Sequence, residues 1–151
     1  MPSQDDDLVA RAATTIAAGI DVVWVALVEP AAIKQYMFGT TVESDWSEGS
    51  SIVWKGEWQG RAYEDKGVIL RLVPGRLLQY SHFSPLSGLP DEPQNYHTVT
   101  IELSPGGRGT RVSLTQDGNA TAEAREHSEE IWRTMLDSLR RHVEQRQRGA
   151  A

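Results

Sequence analysis

The sequence predicts an α+β fold in which a curved antiparallel sheet of about seven strands wraps around one long C-terminal helix. Three observations carry that expectation. From about Thr121 to Arg146 the apolar residues Ile131, Trp132, Met135, Leu136, Leu139 and Val143 recur at helical spacing and make a single stripe. Between Thr41 and Gln116 no helical period occurs, and six strand-like segments follow one another. The connections between them are short, which makes neighbours antiparallel, because parallel neighbours need long crossovers. The helical stripe must be buried, and the sheet is its only large partner. A sheet and a helix packed this way enclose a space, and a functional site is expected there.

The elements follow in order. Val9 to Ala18 reads as a first strand, weakly, because Ala is a poor strand former. Asp21 is placed to cap a short helix running through Val28, with Val23, Trp24 and Leu27 on its apolar side. Pro30 opens a second short helix, Ala31 to Met37, and Gly39 ends it. Six strands follow: Thr41 to Trp46, Ser51 to Trp58, Arg61 to Val73, Leu77 to Phe83, Tyr96 to Leu103 and Thr110 to Gln116. Glu48-Gly49, Gln59-Gly60, Pro74-Gly75, a long loop and Pro105-Gly106-Gly107 separate them. In the last helix Glu123, Glu126, Glu129 and Glu130 precede Arg140, Arg141 and Arg146, an order that suits the helix dipole and reads as a solvated outer face. The expected organisation is one domain over 8–146, a disordered tail over 1–7 and a frayed end over 147–151.

Bulk properties exclude several classes of function. A chain of 151 residues buries a real core without staples, and with no cysteine it has neither disulfides nor thiolate chemistry. The formal charge of −6 argues against nucleic acid and anionic membranes as partners. Met1 to Asp7 is acidic where a signal peptide is basic and then apolar, and no apolar run approaches the roughly 20 residues that span a bilayer. The expected location is therefore cytoplasmic. A protein partner is compatible with the sequence, as is either a monomer or a homodimer.

Alternation aligns the last three strands. Pairing His82 with His97 sets Tyr80 opposite Val99 and Leu78 opposite Ile101; the next strand then sets Leu103 opposite Val112, Ile101 opposite Leu114 and Val99 opposite Gln116. A slip of one residue would turn every apolar set to solvent, so this register is strongly specified. The resulting inner face is apolar at one end and mixed at the other, where Tyr80, His82, His97 and Gln116 gather beside the loop Ser84 to Asn95. That loop holds Pro85, Pro90 and Pro93 and is expected to be an ordered flap.

The order strand, two short helices, six strands and a long helix is that of the helix-grip fold. At the residue level the chain resembles the START-like superfamily, and within it the family named after the activator of the heat-shock protein 90 ATPase. The resemblance rests on Val23-Trp24 with Leu27 and Pro30, then Ile33, Lys34 and Gln35. It continues through Val42 to Gly49, Gly67-Val68, Pro74 with Leu77, Thr98 to Leu103, Gly109-Thr110, and Trp132 with Leu136 and Leu139. It implies a hydrophobic cavity between sheet and helix, filled by varied ligands in different members, some of which are catalysts. Co-chaperone members carry an additional N-terminal domain that this sequence does not show, which argues against stimulation of the heat-shock ATPase. Where members often have Gly before the last-helix Trp, Ile131 stands here and is expected to narrow the cavity.

The residues then point to a binding module for a small apolar or aromatic molecule. Tyr80, His82, His97 and Gln116 would supply polar contacts, and Trp54, Met135 and Leu139 apolar walls. A metal is not expected, since the two histidines lack a third ligand and no Asp or Glu is expected to face inward near them. No cofactor and no catalytic residue is assigned. The competing readings are a cyclase or hydrolase using His82 or His97 as an acid–base group, and an interaction protein of the stress response. Trp54 and Trp58 share a strand face with Ile52, and His127 and His142 read as solvated. Asn119-Ala120-Thr121 spells a glycosylation sequon that matters only in a secreted chain.

Overall fold

Seven strands and three α-helices succeed one another in the computed structural model, which describes residues 8–58 and 60–149. They are β1 (Ala10–Ile16), α1 (Ile20–Val28), α2 (Pro30–Tyr36), β2 (Thr41–Ser44), β3 (Ser51–Trp58), β4 (Arg61–Val73), β5 (Leu77–His82), β6 (His97–Gly106), β7 (Gly109–Gln116) and α3 (Ala122–Gly149). Two single 3-10 turns, Pro85–Ser87 and Pro93–Asn95, interrupt the loop between β5 and β6. The expected tail, 1–7, and residues 150–151 of the expected frayed end lie outside the described residues, as does the side chain of Trp58. Residues 147–149 continue the last helix.

All pairs are antiparallel and the sheet order is β1-β7-β6-β5-β4-β3-β2. The register of β5, β6 and β7 is the one the alternation requires: His82 faces His97, Tyr80 faces Val99, Ile101 faces Leu114 and Val99 faces Gln116. The buried face so formed, with Ile52, Ile69, Val99, Val112 and Leu114, meets Met135, Leu136, Leu139 and Val143 of α3 in one core. Fully burying each such side chain contributes about 1.5–3 kcal/mol, so this contact dominates the fold. The arrangement is an α+β helix-grip.

Three local expectations need correction. Gly19, not Asp21, is the N-cap of α1, and it offers no side-chain cap; Asp21 lies in the first turn, where a carboxylate still suits the dipole. The second strand stops at Ser44 because Trp46 takes a left-handed φ of 54°, with its N–H donated to Ser44 Oγ at 3.0 Å. Glu129 is no part of a solvated face. Its carboxylate accepts the Arg11 N–H of β1 at 3.0 Å, and Glu144 accepts the Ala17 N–H at 2.9 Å. Helix α3 therefore runs along the outer edge of β1 and occupies one of its backbone donors and one just past its end.

Candidate functional site

The mixed end of the inner face is built from β3, β4 and β5, closed over by the first turns of α3 and the α2–β2 connection. Trp54 of β3 is directly opposite Asp65 of β4; Trp54 is buried on the inner face and Asp65 largely so. Gly67, two residues on, has no side chain to intervene. A Cβ there would lie 1.7 Å from the Ser81 carbonyl oxygen, so the backbones of β4 and β5 approach as only glycine permits. Across that gap the Trp54 ring meets His82 edge-on, with centroids 5.1 Å apart, and Tyr80 at 5.0 Å. Burial pushes the Tyr80 phenol far above its ordinary value, so it stays neutral.

His82 and Asp65 form the polar heart of this cluster. The His82 Nε2 lies 2.9 Å from Asp65 Oδ2, in a pair whose side chains are 29% and 15% exposed. Asp65 Oδ1 is buried and has no hydrogen-bond partner among the described residues. The carboxylate fixes the ring and keeps a proton on Nε2, leaving Nδ1 as the free nitrogen. Beside them Thr40 Oγ1 donates to the Met37 carbonyl at 2.8 Å and lies 2.7 Å from the Tyr63 hydroxyl. Because the Thr40 proton is spent on Met37, Tyr63 is the donor of that second bond.

A narrow cavity of about 70 Å³ opens at this place, lined by Trp54, Asp65, Tyr80, His82 and Trp132 together with Met37, Thr40 and Tyr63. Of the residues expected from the sequence, Trp54, Tyr80 and His82 converge on it. His97 does not line it; its Nδ1 is 2.9 Å from the Asp117 carbonyl, against the turn at Gly118. Gln116 accepts the indole N–H of Trp132 and so holds one wall in position without lining the space. Met135 and Leu139 are buried in the core beneath α3.

Asp65 overturns the expectation that no acidic residue faces inward near His82. The missed signal was the alternation Tyr63, Asp65, Gly67, Ile69, which puts Asp65 on the buried face of β4. Even so, no group of three or more metal-binding side chains occurs among the described residues.

The loop from Ser84 to Asn95 is ordered on the other face of the sheet. Lys66, whose side chain alternates away from Asp65, pairs with Asp91, and Asp91 also accepts the Tyr96 hydroxyl at 2.6 Å. Hydrogen bonds from Lys66 and Tyr96 hold the Asp91 carboxyl below its ordinary range. Phe83 is buried beneath Tyr96, with ring centroids 5.1 Å apart. None of the described loop residues lines the cavity.

A larger groove of about 420 Å³ lies outside the sheet–helix space, between α1, α2 and the end of α3, with Val22, Val25 and His142 in its wall. His142 is not a solvated histidine. Its Nε2 is buried without a described partner, and its ring stacks on Tyr36 at 6.4 Å.

This geometry has relatives. The family described as activator of Hsp90 ATPase homolog 1-like protein matches residues 17–144. The chain belongs to that family. The solution structure of ChR145 from Cytophaga hutchinsonii is 57% identical and superposes with a TM-score of 0.81, covering 92% of this chain and 95% of its own. The crystal structure of NE0264 from Nitrosomonas europaea shares the fold at 23% identity and a TM-score of 0.74, with 97% and 99% of the two chains covered. CalU16 from Micromonospora echinospora is 25% identical with a TM-score of 0.65, over 89% of this chain and 74% of its own. No curated protein matches the sequence. In this member of the activator-like family no helix of the described residues is long and apolar enough to cross a membrane.

Proposed function

We propose that this chain binds a small molecule in the space between the sheet and α3, at the cavity lined by Trp54, Tyr80, His82 and Trp132. One observation carries the reading: aromatic walls and a half-buried His–Asp pair converge on the same opening. An apolar pocket with a few polar groups is the usual form of a ligand site. The opening of about 70 Å³ is far below the roughly 300–1,000 Å³ of ordinary ligand pockets, so a whole aromatic ligand enters only if a wall moves. Trp132 is the wall best placed to do so, being only partly buried and held from one side by Gln116.

Native mass spectrometry of the purified protein, followed by thermal-shift screening of aromatic and fatty compounds, tests this. A retained or stabilising compound whose effect is lost in Trp54→Ala supports the reading. A protein that carries nothing and that no compound stabilises would sink it.

The Asp65–His82 pair favours a second reading, an enzyme in which His82 Nδ1 exchanges protons with a bound substrate. It favours His82 over His97, whose Nδ1 is engaged by a carbonyl. Turnover abolished by His82→Gln with binding retained would establish this reading; binding without turnover in the native protein would remove it.

A further inference from the structure

We propose that the polar end of the cavity selects a primary ammonium group, so that the ligand class is a small alkyl- or arylamine bound in its charged form. The inference rests on the cavity being the ligand site. Its carrier is an imbalance of hydrogen-bonding groups in the lining. Thr40 spends its proton on the Met37 carbonyl, Tyr63 on Thr40, Trp132 on Gln116, and His82 Nε2 on Asp65. What these bonds leave over are mostly acceptors: Asp65 Oδ1, buried and without a described partner, and the remaining lone pairs of the Tyr63 oxygen, against the single indole N–H of Trp54. The Tyr80 phenol at the same opening can accept as well as donate.

An ammonium group carries three donors and no acceptor, the complement of that surface. Charge points the same way. A largely buried carboxylate with one hydrogen bond is incompletely compensated, which is costly, and no Lys or Arg is among the described residues lining the cavity. Lys66, the cation nearest in sequence, is drawn to Asp91 on the opposite face of the sheet. The aromatic lining adds to the preference, since Trp and Tyr rings attract cations while also accepting an alkyl chain. The volume of about 70 Å³ suits a head group of a few heavy atoms, so the amine is the inserted end and the rest of the ligand lies toward the mouth.

The test compares n-butylammonium with n-butanol, two probes of one chain length that differ in charge and in donor number. Each is titrated into the native protein while the indole N–H resonances of Trp54 and Trp132 are followed by NMR. Butylammonium is expected to move both resonances saturably, with a Kd at least tenfold below that of butanol. Asp65→Asn, which keeps the shape and removes the charge, is expected to bring the two probes within about twofold of each other. Equal affinities in the native protein would overturn the amine assignment while leaving an apolar ligand site standing. If neither probe moves the indoles but an aromatic compound stabilises the protein, the amine assignment falls alone. If nothing binds at all, both readings fall. Should Asp65→Asn fail to fold, the ratio in the native protein decides by itself.

Discussion

His142 shows how a single buried atom sets a pH dependence. Burial of its ring pushes the imidazole below its ordinary value, Arg146 adds to the depression, and Glu29 opposes it. In the unfolded chain the same group titrates near 6.5. Between that value and the lower one of the folded state, the unfolded chain binds more protons, so stability rises with pH across that window. The contribution is complete above about pH 6.5 and is lost as the pH falls through the folded value. His142→Gln should remove this loss, so urea midpoints of native and variant protein diverge progressively below about pH 6.5. Parallel curves across that range would show that His142 is not the group responsible. The burial of this histidine was not legible in the sequence. A polar residue carries no periodic signal of its own, and its neighbours on α3 are charged. For Asp65 the alternation Tyr63, Asp65, Gly67, Ile69 did carry the signal, but the β4–β5 register, which shifts between Ile69 and Arg71, left that strand unaligned with β5 to β7.

Helix α3 and strand β1 work as a pair. The 15 residue steps from Glu129 to Glu144 advance about 22 Å along a helix, and the six steps from Arg11 to Ala17 about 20 Å along a strand. The matched lengths let one helix deliver a carboxylate to each end of the strand. β1 is an edge of the sheet, and unpaired edge donors invite pairing with another chain. Glu144 is the better placed of the two, since its side chain is 18% exposed and also takes a bond from Arg140 at 3.3 Å. Glu144→Ala should lower stability by about 1 kcal/mol in urea denaturation. The double variant with Glu129→Ala should also raise the associated fraction in size-exclusion chromatography above that of native protein. Unchanged elution at raised concentration would show that α3 is not what keeps the edge from pairing. The charges on α3 were legible as helix-compatible, but their spacing says nothing about which strand lies beside them.

At the scale of the whole molecule, what the sequence specified well was the packing of periodic elements. Tyr80, Val99 and Gln116 stand side by side because period-two alternation leaves one register in which three buried faces coincide. The internal space was harder to read, because its volume depends on the rotamers and tilts of a few large side chains. Trp132 decides it. Its indole lines the cavity, reaches the edge of the core, and is tied by its N–H to Gln116 of β7. Replacing it with alanine removes that wall and leaves the Gln116 amide to solvent or ligand. Trp132→Ala is therefore expected to lose about 2–3 kcal/mol, below the range for a fully buried Trp because Trp132 is only partly buried. The same variant should accept compounds larger than the native protein accepts, seen as thermal stabilisation by bulky aromatics that leave the native protein unmoved. Conservative Trp132→Phe separates the two effects, since it keeps most of the wall but not the bond to Gln116. If the phenylalanine variant binds like native protein and the alanine variant gains only larger ligands, Trp132 sets the size of the site. If both lose binding alike, the bond to Gln116 matters more than the volume, and the cavity is held open from β7.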